Sequence, residues 1–356
     1  MLVSDQSATP RQFSAIQESE FQVNEGGLTF VRQKLVVILA LSTMMLFCFA
    51  ADAQMFNGTL YYTTFTGGQN VHSVTYSYNQ TTQSLTLGLA NNIASLPGAD
   101  GIIFAPNGNL LVGGQGTGFV FEITKTGGFV AQAPPGSPGQ DQNSFHLALD
   151  PSGTKFYTSD FRGPLDTVPL PLSQGTTSTL TGGDTGVTQL AFAPNGNVFY
   201  VNGNPNGGGN LGLINLSTDV TTQLFTNIRP AHGLIYDPFT GLMTFFGAGE
   251  TGTMNQNGGN LMLSPSPFNC DFDQGSVDGH GHAFVAGCNS ITFLDYSISH
   301  DITNPNKVII EGGFAASDDT APLVGLGSQV PEPSSLILLG SGVIGLAGVI
   351  RRRIAK

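Results

Sequence analysis

The chain has no tryptophan, and only 10% of its 356 residues are charged. Basic residues are scarcest. Between Gln54 and Val330 there are five (Lys125, Lys155, Arg162, Arg229 and Lys307) against 18 Asp and Glu, a net charge of −13. Nucleic-acid binding draws on Lys and Arg to neutralise phosphates, so this composition excludes it and suits neutral or cationic partners. No G-x-S-x-G, H-E-x-x-H or P-loop motif is present, which removes the common hydrolase and nucleotide-binding routes. Disorder is excluded in turn, because 40% of residues are hydrophobic and 25 are Phe. With 48 Gly and many Thr, Val and Phe, the chain reads as short strands joined by tight turns.

Apolar runs occur only at the two ends. Arg32 and Lys34 precede Leu35 to Ala50, and the small-x-small triplet Ala51-Asp52-Ala53 follows. Positive region, apolar region and Ala51/Ala53 cleavage site in that order predict a signal peptide over 31–53, cut by signal peptidase. Residues 1–30 carry Asp5, Glu18, Glu20 and Glu25, unlike the start of a signal peptide. They are expected to be a mis-called or disordered extension.

The C-terminal run, Leu336 to Ile350, lies between Pro331-Glu332-Pro333 and Arg351-Arg352-Arg353. As a helix its 15 residues span ~22 Å, short of a ~30 Å hydrocarbon core. The three arginines should stay cytoplasmic. This order of parts over 328–356 resembles the PEP-CTERM sorting signal of Gram-negative, exopolysaccharide-producing bacteria. The resemblance implies a short transmembrane helix, recognition by an exosortase-type protease, and a cell-envelope or extracellular location, with membrane contact through the tail before processing.

Within 54–327 one pattern recurs: an apolar strand, an Asp/Ala-Pro-x-Gly turn and a second apolar strand. The turns fall at Pro106, Pro151, Pro194 and Pro238, with a degenerate copy at Gly279, spaced 45, 43, 44 and 41 residues apart. Pro presets the turn, Asn or Gly takes the left-handed conformation, and two further strand-like segments follow each hairpin. Four strands in ~44 residues make one propeller blade. Five blades are visible. A sixth is expected to be shared between the ends, from Thr59–Thr63, His72–Tyr78 and Ser84–Leu87 with a closing strand at Lys307–Gly312 or Leu323–Leu326. The expected fold is an all-β, six-bladed β-propeller, with seven blades or a pair of β-sandwiches as alternatives. The body resembles NHL/SMP-30/YVTN-like propellers at the level of fold, and propellers host many unrelated functions.

Export removes Cys48 and leaves Cys270 and Cys288 in an oxidising compartment. They lie symmetrically about Gly279, so a regular hairpin would set them opposite each other, and a cross-strand disulfide is expected.

Inner strands of a propeller converge at the mouth of its channel. Aligning the repeats places Asp100, His146, Gln189, His232 and Asp273 there as a polar ring, a candidate ligand site. Imidazoles with carboxylates bind Zn²⁺, and carboxylates with carbonyls bind Ca²⁺, but no complete metal-ligand motif is present. No cofactor is expected, a divalent metal being the one candidate. His280-Gly281-His282 reads as an exposed turn, and the Asp271, Asp273, Asp278 trio is a poor calcium loop, with Gly275 and His282 where ligands are needed. Resemblance to lactonase propellers would enlist Glu250, Asn202 and Asp160, and resemblance to lyase propellers His146 and His232. The expectation is a non-catalytic exported protein, in contact with polysaccharide or other matrix components. A secreted metal-dependent lactonase or lyase is the alternative.

Overall fold

A computed structural model describes residues 54–64, 71–114, 118–133, 144–159, 165–173, 179–180, 187–202, 209–218, 220–229, 231–265 and 272–321. The signal segment, the preceding extension and the sorting tail lie outside these residues, and no described helix is long and apolar enough to cross a membrane.

The hairpin repeats fold as their turn chemistry dictates. At Ala105-Pro106-Asn107-Gly108 the Gly108 amide donates to the Ala105 carbonyl at 2.9 Å, and Asn107 Oδ1 accepts the Asn109 amide at 3.0 Å. The turn at Ala193 repeats both bonds through Gly196 and Asn195. Gly108 and Gly196 have φ of 84° and 90° with open space around the missing Cβ, so backbone conformation alone calls for glycine there.

Each hairpin extends into an antiparallel sheet, and six sheets form. Blade 2 comprises Ala99–Phe104, Leu110–Gly114, Val120–Ile123 and Phe129–Ala133, from the channel outward. The inner strands of blades 3 to 6 are His146–Leu149, Gln189–Phe192, Ala231–Asp237 and Gly275–Val277. Blade 1 joins the ends of the fold: Ser317–Thr320 is innermost, followed by Met55–Thr64, Val71–Asn79 and Ser84–Leu87, with Asn91–Ala94 also paired to Val71–Asn79. Neighbouring inner strands contact one another all the way round, from Ser317–Thr320 through the other five and back. The fold is thus a closed six-bladed propeller, and closure leaves no free inner edge.

The closing strand differs from expectation. Lys307–Gly312 is the outer strand of blade 6, while Leu323–Leu326 falls outside the described residues. Ring closure falls to Ser317–Thr320, whose sequence Ser-Asp-Asp-Thr has no apolar alternation. Its carboxylates face the channel region rather than a packed sheet face.

Six buried apolar clusters hold the blades together, one at each junction. Ile103, Leu111, Leu147 and Phe156 join blades 2 and 3, for example, and Leu60, Tyr62, Phe284 and Phe293 join blades 6 and 1. In blade 2 the second and third strands are wholly buried, whereas the outer strand Phe129–Ala133 exposes three of its five residues. At the 6–1 junction the Tyr78 hydroxyl donates to Asp295 Oδ2 at 2.5 Å, and the Asp295 carboxylate is fully buried.

Candidate functional site at the channel mouth

Every inner strand begins at the same mouth of the channel, so side chains near the strand starts converge. Gly101 lets two of these strands close up. Its amide donates to the Phe145 carbonyl at 2.5 Å, and a Cβ there would lie 2.2 Å from that oxygen. Beside it, His146 Nε2 lies 2.9 Å from Asp273 Oδ1 and 3.6 Å from Asp319 Oδ1. His232 Nδ1 approaches the same Asp273 carboxylate at 3.3 Å, and the two imidazoles are 6.1 Å apart, centre to centre. Asp100 completes the group. Its carboxylate, His146 and the Asp319 carboxylate offer atoms within 4.8 Å of one another. Asp100, His146 and Asp319 are at most 4% exposed.

Asp319 is held on several sides. Its Oδ1 accepts the Gln274 amide at 2.7 Å, and its own amide donates to Thr63 Oγ1 at 3.2 Å. Its Oδ2, fully buried, has no hydrogen-bond donor. Gln274 Nε2 in turn donates to the Ile102 and Thr320 carbonyls at 3.2 and 3.4 Å.

Crowding four carboxylates with two imidazoles has electrostatic consequences. Burial, then the Asp319 charge, pushes the Asp100 carboxyl well above the usual carboxylate range. Burial, then the charges of Asp100, Asp273 and Asp319, does the same to Asp318. Asp319 is raised by burial, with His146 opposing. Burial pushes Asp273 up as well, but His232 and His146 outweigh it and hold it low. Burial pushes the His146 imidazole down, and the Asp319 and Asp273 carboxylates overcome this and raise it.

The structure therefore brings together four of the five residues aligned from the sequence: Asp100, His146, His232 and Asp273. Gln189 turns elsewhere. Its Nε2 donates to the Leu147 carbonyl at 3.1 Å, and it lines a separate cavity of about 610 Å³ toward the other end of the inner strands. Ile103, Leu147, Leu149, Leu190 and Phe192 make that cavity largely apolar. Asp318 and Asp319 escaped the alignment because Ser-Asp-Asp-Thr does not read as a strand. Asp319 nevertheless lies 46 residues beyond Asp273, as His146 lies 46 beyond Asp100. One more repeat length would have found it.

The remaining candidates separate. His282 is buried, not exposed, with Nδ1 2.6 Å from Asp278 Oδ2 and its ring edge-on to Phe56, whereas His280 is exposed. The H-x-H pair divides because His280 sits in the turn, the strand begins only at His282, and Gly281 between them takes a φ of 90°. Asp278 lies beyond Gly275–Val277 from Asp273 and serves His282, which breaks up the calcium-loop trio; Asp271 is outside the described residues. Glu250 joins no group of three His, Cys, Asp or Glu among the described residues, Asn202 pairs by backbone with Asn210 at the end of its strand, and Asp160 lies outside the described residues. Cys288 occupies a two-residue turn with Asn289, both at positive φ, between His282–Gly287 and Ser290–Asp295. The pairing of Val277 with Ala283 centres the preceding turn on His280 rather than Gly279. Cys288 thus lies past the ladder of the inner strand, and Cys270 is outside the described residues.

Residues 329–353 match the PEP-CTERM protein-sorting motif. The chain carries a signal for export and processing by an exosortase-type system, and its place is the cell envelope or the extracellular space. No curated protein matches the chain. Among solved structures, one from a nidogen/laminin complex is similar at 12% identity and TM-score 0.56, over 75% of this chain and 98% of the other. Virginiamycin B lyase from Staphylococcus aureus is similar at 12% identity and TM-score 0.46, over 73% of this chain and 88% of its own. A streptogramin B lyase gives 13%, 0.47, 75% and 91%. At such identities the likeness is one of fold.

Proposed function

We propose that the propeller is a non-catalytic binding and structural component of the extracellular matrix of a Gram-negative bacterium, in contact with exopolysaccharide. The observation behind this reading is how the channel mouth uses its reactive groups. His146 and His232 both spend a ring nitrogen on Asp273, and Asp100, His146 and Asp319 are buried. A general base must reach its substrate's proton within hydrogen-bond distance, and these groups face each other instead. The acidic, charge-poor body, with five basic residues between Gln54 and Val330, suits a neutral glycan better than a polyanion.

The test pairs two assays on the secreted protein. Co-sedimentation with the host's own exopolysaccharide should retain it at moderate salt, and a panel of lactones and cyclic depsipeptides should remain unconverted. Turnover abolished by His146→Ala would replace this reading with a channel enzyme. Absence of glycan retention would remove the matrix role.

A further inference from the structure

We infer that the cavity at the turn end of the channel is a binding site for one small, uncharged, mostly apolar molecule that donates a hydrogen bond to Gln274. The site lies away from the acidic mouth, and it does not rest on the matrix reading.

The repeat builds the walls. Residues of five blades, 2 to 6, line the cavity, and its volume of about 610 Å³ falls within the ~300–1,000 Å³ of small-molecule sites. Phe104, Leu149, Phe192 and Tyr236 line its outer end, each two residues before the proline of its turn and each only partly buried. Mostly apolar walls with a few fixed polar groups are the usual make-up of a small-molecule site.

The lining selects against charge. Among the described lining residues there is no Lys, Arg or His, and Asp150 is the one carboxylate. Its Oδ1 already accepts the Ser152 amide and hydroxyl at 2.9 and 2.5 Å. An anion would lose its hydration without gaining a counter-charge, and a cation would find a carboxylate committed to its own turn.

Gln274 supplies the polar group that orients the ligand. Its backbone amide donates to Asp319 Oδ1, so the residue stands between the acidic mouth and the apolar cavity that it also lines. Its Nε2 donates to the Ile102 and Thr320 carbonyls, which fixes which arm of the amide is nitrogen and turns Oε1 away from those carbonyls. Gln274 is 2% exposed, and its Oε1 is buried and accepts no hydrogen bond. A buried acceptor in that state is costly, and an O–H or N–H brought by a ligand removes the cost. The two Nε2 bonds, at 3.2 and 3.4 Å, are long enough to let the amide swing its oxygen toward such a donor.

The experiment titrates the secreted protein with N-phenyl-1-naphthylamine, an uncharged fluorophore that carries one N–H and brightens in apolar surroundings. Saturable binding of one equivalent is expected. The N-methyl derivative, which has no donor, should bind roughly 2–10-fold more weakly, the worth of one neutral hydrogen bond. The 8-sulfonate of the same skeleton should also bind more weakly than the parent probe. Gln274→Leu should bind the N–H and N-methyl probes equally. The chain has no tryptophan, so Phe192→Trp places a single indole on the cavity wall and Phe129→Trp a single exposed one on the outer strand of blade 2. Energy transfer to the bound probe should be greater from the first. No saturable binding up to the solubility limit of the probe would overturn the inference. So would equal affinity of the parent protein for the N–H and N-methyl probes, tighter binding of the sulfonate, or transfer no greater from Phe192→Trp than from Phe129→Trp. Should Gln274→Leu fail to fold, the comparison of the N–H and N-methyl probes on the parent protein decides.

Discussion

Substituting Tyr78→Phe tests how the ring is locked. Tyr78 belongs to blade 1 and Asp295 to blade 6, so their hydrogen bond spans the junction where the two ends of the fold meet. Asp295 Oδ1 already accepts the Ser297 amide and hydroxyl at 2.9 and 2.6 Å, and the phenol is the donor to Oδ2. Both partners are fully buried. Phenylalanine keeps the ring among Phe293 and His282 and opens no cavity, so the cost isolates the lost donor. A hydrogen bond to a charged group contributes roughly 1.5–3 kcal/mol, and leaving a buried carboxylate short of a partner costs about the same. Urea unfolding should therefore show a lower midpoint with an unchanged slope, corresponding to a loss of ~2 kcal/mol. Tyr78→Ala should lose more, because truncating a buried aromatic adds ~3–5 kcal/mol of lost packing and cavity. A Tyr78→Phe protein within ~0.5 kcal/mol of the parent, the range of a surface change, would show that closure rests on apolar packing alone.

Further consequences can be measured. Gly101→Ala would put a methyl against the Phe145 carbonyl between blades 2 and 3, and should cost at least the ~1–3 kcal/mol of overpacking; a neutral effect in urea unfolding would contradict the close approach. Burial raises Tyr61, Tyr62, Tyr76, Tyr78 and Tyr296 above 10, Tyr62 to about 12. The unfolded chain then loses these protons first, so stability should fall as pH rises from ~10 toward 12. Ultraviolet titration should show these phenols ionising only with unfolding, and smooth titration of all tyrosines near 10 in a folded protein would refute it. A Cys270–Cys288 disulfide, closing a loop of ~18 residues, would be worth roughly 3 kcal/mol. Native protein should give no reactive thiol from this pair, and two reactive thiols would exclude the bridge.

Where local chemistry and tertiary role agree, the sequence is readable. The Pro-Asn-Gly turns at Pro106 and Pro194 demand particular backbone conformations, and these recur at blade spacing, which exposes the architecture and blade number. The channel ring is legible for the same reason: Asp100, His146, His232 and Asp273 sit at equivalent points of the repeat. The closing strand fails this test. Ser317–Thr320 pairs by backbone with Met55–Thr64, more than 250 residues away in sequence, and its side chains answer to the channel rather than to a sheet face. Gln189 holds an equivalent position in the repeat, yet its amide reaches sideways to Leu147, a choice set by the neighbouring blade. His282 is missed for a third reason: Asp295 and Tyr78 come from strands of blades 6 and 1 and Asp278 from the turn before His282, and no local pattern announces such a network.

The central claim, an exported propeller released from its sorting tail, is tested most directly by intact-mass spectrometry on protein from the native host, with membrane and medium fractions kept apart. The account predicts a species running from Gln54 to roughly Val330 outside the inner membrane. A mass that retains Leu336 to Lys356 and occurs only in membranes would contradict it, and the tail would then be a plain anchor.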